Sequence, residues 1–349
     1  MTRVSLRAAV VSFALAVVFS FVAPVAFAQS SSAQSPLLLR NPSLSQDRIA
    51  FLYADDIWTV TRQGGEAQRL TSNGHVRGGP FYSPDGSQIA YTAHLEGNDD
   101  VYIIPSGGGV PRRITWHPAG SYVVGWAPDG THVVVATLSL SFRHYSKLFL
   151  IKTDGSGLPE PLPLPSGAQA SYSPDGQSLA YEPYSKWQDA WKRYAGGQTT
   201  PIWIVNLKTL DLVKVPRENS NDSSPVWVGD SVYFLSDRNG PVSLFRYDVG
   251  SKAVSSVVPN SSYDLKSMQG GPDGLFASGG DLIAMVLEAR QQAAAAGLDA
   301  RTKLLQIRST GGPRCIQGGL LRVRGQLHGE TQSAGHCGPT GDSLRWGHP

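Results

Sequence analysis

The sequence predicts an all-β fold: a six-bladed β-propeller with an incomplete last blade and an irregular C-terminal tail. Three observations carry that reading. A Ser-Pro-Asp-Gly type turn recurs, at Ser83-Pro84-Asp85-Gly86, Ala127-Pro128-Asp129-Gly130 and Ser173-Pro174-Asp175-Gly176, with its prolines 44 and then 46 residues apart. That period is the length of one four-stranded propeller blade. Each turn leads into a short apolar run, Gln88-Ile89-Ala90-Tyr91, His132-Val133-Val134-Val135 and Ser178-Leu179-Ala180-Tyr181, of the kind that forms a buried strand. The composition agrees, with 38 Gly, 24 Pro and 41% hydrophobic residues over 349 positions. Such a Gly and Pro load favours many short strands joined by turns.

Each part of the repeat has a physical role. Proline fixes φ at the first corner of the turn, Asp accepts local backbone hydrogen bonds, and Gly supplies the positive φ. A second strand follows in each unit: Ile57-Trp58-Thr59-Val60, Val101-Tyr102-Ile103-Ile104, Leu148-Phe149-Leu150-Ile151 and Ile202-Trp203-Ile204-Val205. It enters a hairpin such as Gly107-Gly108-Gly109 or Asp154-Gly155. A third strand then closes the unit, as in Ala67-Gln68-Arg69-Leu70-Thr71 and Arg112-Arg113-Ile114-Thr115. Weaker copies extend the series: Asn41-Pro42 with Arg48-Ile49-Ala50-Phe51, Ser224-Pro225 with Ser231-Val232-Tyr233-Phe234, and Gly271-Pro272-Asp273-Gly274 opening a sixth unit. No single blade can bury both faces of its sheet, so the units are expected to stack around an axis.

Residues 1–28 read as an export signal. Arg3 and Arg7 precede the uncharged apolar stretch Ala8 to Val22, and Ala26-Phe27-Ala28 supplies a cleavage site. A periplasmic or secreted location is therefore expected, with a linker over 29–36 and the propeller over 37–282. The apolar run is short for a membrane span, and no later segment is long and apolar enough to cross a bilayer. A formal charge of +3 without long Lys/Arg runs argues against nucleic-acid binding. The only cysteines, Cys315 and Cys337, stand in the last 35 residues, where an oxidising compartment permits a disulfide.

Ser-Pro-Asp-Gly repeats occur in TolB-like proteins and in the propellers of prolyl oligopeptidases. Longer segments here resemble the N-terminal propeller of tricorn proteases. They are Trp116-His117-Pro118 with Gly125-Trp126-Ala127-Pro128-Asp129-Gly130, Leu158 to Pro165, Ala190 to Gly197 followed by Pro201-Ile202-Trp203-Ile204, and Val226 to Gly240. The resemblance runs in register from about Leu37 to Leu282. In that family a six-bladed propeller precedes a seven-bladed one, a PDZ-like domain and a catalytic core with Ser and His. The resemblance implies a non-catalytic propeller fragment of a serine peptidase, acting in peptide gating or docking, with no family catalytic residue carried over. Its expected partners are peptides or other protein domains. The alternative is a free-standing periplasmic scaffold of the TolB-like kind.

After Gly279-Gly280-Asp281-Leu282 the pattern breaks. Ile283-Ala284-Met285 and Gln291-Gln292-Ala293-Ala294-Ala295-Ala296 replace the expected alternating strand, and residues 283–349 carry no period. A reading-frame shift near Leu282 accounts for this, since codons for Ile-Ala-Met read one base earlier give Tyr-Arg-Tyr. The other reading is a genuine tail with a helix over Leu287 to Ala296. An incomplete sixth blade is expected to leave sheet edges unpaired, weakening the ring and promoting association.

Catalytic and metal signatures are absent from the sequence: no Gly-x-Ser-x-Gly, His-Glu-x-x-His or Cys-x-x-Cys occurs. No cofactor is expected. His75, His94, His117, His132 and His144 stand singly and read as surface or turn residues. Asp85, Asp129 and Asp175 read as turn acceptors. The candidate peptide-binding group is Trp187, Trp191, Lys192, Arg193 and Tyr194, where aromatic faces and positive charge meet on an insertion between strands. The competing reading of Trp187 and Trp191 is that they pin the insertion onto the blade.

Overall fold

The computed structural model describes residues 39–62, 65–141, 145–186, 188, 193–258, 264–271, 274–279, 283–287, 302–311 and 315–322. The signal and linker segments, the helix expected after Leu287, and Cys337 lie outside the described residues.

Five antiparallel four-stranded sheets follow one another along the chain. The first comprises Arg40–Leu44, Arg48–Tyr53, Asp56–Thr61 and Gln68–Arg69. The second has Val76–Tyr82, Gln88–His94, Asp99–Pro105 and Arg112–Arg113. The third has Ser121–Trp126, His132–Thr137, Lys147–Lys152 and Glu160–Pro161. Blade four has Ala170–Tyr172, Ser178–Tyr181, Trp203–Asn206 and Leu212–Lys214. Blade five has Asp222–Val228, Ser231–Ser236, Ser243–Asp248 and Val254–Ser256.

The expectation of six blades is corrected to five. Beyond blade five stands a two-stranded sheet, Leu265–Gly271 paired with Gly274–Gly279. The next strand, Ile283–Leu287, does not add to it. It pairs instead with Thr302–Gly311, which pairs with Cys315–Arg322, and the latter reaches Gly65–Glu66. The tail expected to be irregular thus contains three strands. The sequence change after Leu282 coincides with the point where the blade stops growing.

Packing explains why the apolar runs are nearly continuous. In the second blade Ile89 and Tyr91 join Ala50, Leu52 and Ile57 of the first, while Ala90 joins Val123, Val133 and Val135 of the third. Successive side chains of a strand point to opposite faces, so a blade buried on both faces needs apolar residues at every position. The fourth blade repeats the scheme, with Leu179 and Tyr181 packed on the third blade and Ala180 on the fifth. Leu265 and Met268 continue the stack by packing on Val226, Leu235 and Leu244.

The first strand of each blade touches the first strand of the next, and Leu265–Gly271 touches the first strands of both blade five and blade one. The two-stranded sheet therefore occupies the seam between them. Two glycines fit it there: a Cβ on Gly270 would lie 2.6 Å from Val226 Cγ1, and one on Gly271 would lie 2.4 Å from Leu44 Cβ.

The turn aspartates hold their own turns, as the residue types require. Asp85 accepts from the Ser83 and Ser87 hydroxyls and the Ser87 N–H, and these bonds hold its carboxyl down at about 2. Asp175 repeats the pattern with Ser173 and the Gln177 N–H. Asp129 accepts from the Thr131 hydroxyl and N–H and pairs with His132 Nδ1.

Candidate functional site

Because the first strands stand around the axis in the same direction, they enclose a central cavity of about 1470 Å³. Its two ends differ in chemistry. Phe81, Tyr82, Trp126 and Trp227 line it near the ends of the first strands, where the Trp126 indole N–H donates to the Phe81 carbonyl at 2.9 Å. Where the first strands begin, Arg77, Lys186, Arg193 and Lys266 contribute positive charge. Lys186 and Arg193 reach this end because antiparallel pairing sets Tyr181 opposite Ala170, so the chain leaves the second strand beside the start of the first. Two acids share this mouth, each engaged by main-chain N–H groups. Asp237 accepts from Asn221 N at 2.8 Å and Asn221 Nδ2 at 2.7 Å, and Asp264 accepts from Val242 N at 2.9 Å.

Of the five candidate residues, Trp187, Trp191 and Lys192 lie outside the described residues. Arg193 is exposed, adopts φ 54°, and lines the cavity. Tyr194 contributes its carbonyl, which accepts from Asn221 Nδ2 at 2.9 Å, and its ring stands against Gly196. The insertion thus meets the channel mouth through the Asn221 side chain.

Sequence reasoning missed Glu182, the residue immediately after the second strand of blade four. It is 4% exposed, lines the cavity, and accepts from Ser224 N of blade five at 2.6 Å. Burial pushes its carboxyl up to about 7, against the Ser224 N–H bond and with the help of the Asp222 charge. A carboxyl raised this far binds its proton more tightly in the folded than in the unfolded chain. The fold accordingly loses stability as pH rises through 4.5, and the loss is complete above about 7. The size of the effect is about 3 kcal/mol. Glu182→Gln, which retains an acceptor for Ser224 N, is expected to match the wild type in urea unfolding at pH 4 and exceed it at pH 8. Equal stabilities at pH 8 would contradict a buried, proton-linked Glu182.

A second missed feature is structural. Asp56 and Asp100, each fully buried at the head of a third strand, accept from Thr71 and Thr115 at 2.7 and 2.8 Å. Arg69 and Arg113 pair with the same carboxylates, the latter at 2.7 Å. Each Thr hydroxyl oxygen also accepts the N–H of the residue after the Asp, at 2.9 Å in both blades.

The described histidines serve turns and surfaces. His94 Nδ1 lies 2.9 Å from Asp99, and His117 Nδ1 accepts from Ala119 N. Among the described residues no group of three or more His, Cys, Asp or Glu could hold a metal, and no helix is long and apolar enough to cross a membrane.

Residues 36–291 match the family model for the tricorn protease N-terminal beta propeller domain, nine residues beyond Leu282. Tricorn protease homolog 1 of Streptomyces coelicolor is 28% identical over 251 residues, covering 71% of this chain and 23% of the relative. Tricorn protease of Thermoplasma acidophilum is 26% identical over 261 residues, covering 71% and 24%. The chain thus spans about a quarter of the length of these relatives. A putative tricorn-like protease N-terminal subunit of Sulfurisphaera tokodaii is 30% identical over 164 residues, which cover 45% of this chain and 80% of that protein. Among solved structures, the tricorn protease superposes with a TM-score of 0.64 at 24% identity, covering 73% of this chain and 25% of that one. A putative TolB from Agrobacterium tumefaciens superposes with a TM-score of 0.54 at 21% identity, covering 64% and 82%. At these identities the two structures show the shared propeller fold.

Proposed function

This chain belongs to the tricorn protease N-terminal β-propeller family, and on that premise we propose that it is a non-catalytic peptide-docking module working with a tricorn-like serine peptidase. The observation that supports the reading most is the axial cavity. Its volume of about 1470 Å³ exceeds that of an ordinary small-molecule pocket, with aromatic side chains at one end and mixed charge at the other. Aromatic faces take apolar side chains, and the cations Arg77, Lys186, Arg193 and Lys266 along the wall orient charged ones. Among the described residues that line the cavity there is no His or Cys, which supports binding here and hydrolysis elsewhere. A short relative whose name describes an N-terminal subunit agrees with a module that works beside a peptidase. The leader pattern of Arg3, Arg7, Ala8 to Val22 and Ala26-Phe27-Ala28 supports a periplasmic or secreted setting.

Incubating the purified chain with a defined peptide mixture tests the assignment. Retention of peptides on the protein, with their masses unchanged over hours, is expected. Cleavage products made by the purified chain would contradict a non-catalytic role, and no retention at all would contradict docking.

A further inference from the structure

Glu182 poses an energetic question. A buried carboxylate without a cationic partner is costly, and glutamine would accept the same Ser224 N–H without that cost. Only that one hydrogen bond reaches the Glu182 carboxylate among the described residues. Arg193 and Lys186 line the same cavity, yet neither forms an ion pair with it.

Two further oxygen atoms, on residues that line the same cavity, are unsatisfied. Asn221 is 9% exposed, and its Oδ1 is buried without a hydrogen-bond partner. Its orientation is fixed because Nδ2 donates to two acceptors, the Tyr194 carbonyl and Asp237 Oδ2. Thr200 is 1% exposed, and its Oγ1 is likewise buried without a partner. One stretch of backbone gathers the three residues. Ser224 N binds Glu182, Asp222 N binds the Thr200 carbonyl at 2.8 Å, and Asn221 precedes Asp222 directly. Glu182, Thr200 and Asn221 all line the axial cavity.

Three acceptors with at most one hydrogen bond among them match the three N–H donors of an ammonium group. The set is poor for calcium, which takes six to eight oxygens and usually several carboxylates. We propose that Glu182, Asn221 and Thr200 form a subsite for a primary ammonium group carried by a peptide in the channel. The ammonium is either the peptide's free N-terminus or a lysine side chain. The inference rests on the peptide-docking reading and assigns its charge selectivity. A bound ammonium supplies the countercharge that burial otherwise denies Glu182. The other charged groups around this corner already have roles or stand open to the mouth. Asp222 is held by Arg238, Asp237 by Asn221, and Arg217 by Thr199 and Ser220. Arg193 and Lys186 stand at the mouth.

The test uses the full chain and three probes at pH 8 in a titration calorimeter: Ala-Ala-Ala, N-acetyl-Ala-Ala-Ala and N-acetyl-Ala-Lys-Ala. Ala-Ala-Ala is expected to bind at least tenfold more tightly than its acetylated form. Glu182→Gln and, independently, the near-isosteric Thr200→Val are expected to erase most of that difference while leaving the acetylated peptide's affinity unchanged. Recovery of affinity by the lysine peptide assigns the side-chain amine as a ligand. Its failure to recover restricts the subsite to the N-terminus. Equal binding of the free and acetylated tripeptides, or discrimination that survives in Glu182→Gln, would overturn the subsite and leave the docking channel standing. Binding of none of the three probes would remove both. Heat from calcium chloride alone that Glu182→Gln abolishes would assign the oxygens to a metal and overturn the ammonium site.

Discussion

Replacing Arg113 by Met is expected to cost the fold about 3–5 kcal/mol. The Asp100 side chain is fully buried, and Arg113 is the cation that pairs with it, 2.7 Å away. Methionine keeps much of the packed length of the stem and removes the charge, leaving a carboxylate supported by the Thr115 hydroxyl and by Asn98 Nδ2 at 3.3 Å. Lysine is an incomplete substitute, since Arg113 also spends Nε on the Thr115 carbonyl at 2.7 Å and Nη1 on Glu96. Urea unfolding of the variant at neutral pH measures the loss. A shift below 1 kcal/mol would mean that the neutral donors alone compensate the Asp100 charge. The same clasp in blade one predicts a similar cost for Arg69→Met, reduced because Arg69 is 45% exposed.

Filling the seam is expected to have a comparable effect. Replacing Gly270 and Gly271 together by Val should cost about 2–5 kcal/mol, the sum of two overpacking penalties on opposite sides of one strand. The new side chains would meet Val226 of blade five and Leu44 of blade one. The penalty falls on the joint between the first and last parts of the ring. Hydrogen exchange should therefore quicken in Arg40–Leu44 and Leu265–Gly271 before it does in blade three. A higher oligomer fraction in size-exclusion chromatography is also expected, because opened strand edges pair with other chains. Wild-type exchange rates in Arg40–Leu44 would show that the two-stranded sheet does not close this seam.

Most of the architecture was legible because it rests on local chemistry repeated at a fixed period. The Pro-Asp-Gly turns need only neighbouring residues, and Asp85, Asp129 and Asp175 behave as their turns demand. The apolar runs marked strands buried on both faces. The sixth blade was read from Gly271-Pro272-Asp273-Gly274, which does join two strands, but the residues after Leu282 lack the alternation to add a third and fourth. The Asp–Arg–Thr clasp was present in the sequence as matching intervals. Asp56 to Arg69 and Asp100 to Arg113 both span 13 residues, and Asp to Thr spans 15 in each. Its members are far apart in sequence and come from separate segments, so no single strand's pattern reveals it. Glu182 gave no such signal. It follows Ser178-Leu179-Ala180-Tyr181 as any exposed loop carboxylate would, and its burial comes from blade five pressing Ser224 against it. Of the insertion's candidate residues Arg193 lines the cavity, whereas the polar residues Thr200 and Asn221 that line it too carry no motif.

The central claim is that peptides occupy the axial channel, and photo-crosslinking tests it most directly. A peptide with a free N-terminus and a benzophenone side chain is bound to the full chain, irradiated, and mapped by mass spectrometry. Crosslinks are predicted on first-strand segments that line the cavity, including Tyr122 to Trp126, Ser223 to Trp227 and Lys266 to Gly271. Excess unlabelled peptide should suppress them. Crosslinks confined to the outer strands, such as Leu212–Lys214 or Val254–Ser256, would contradict the channel as the docking site.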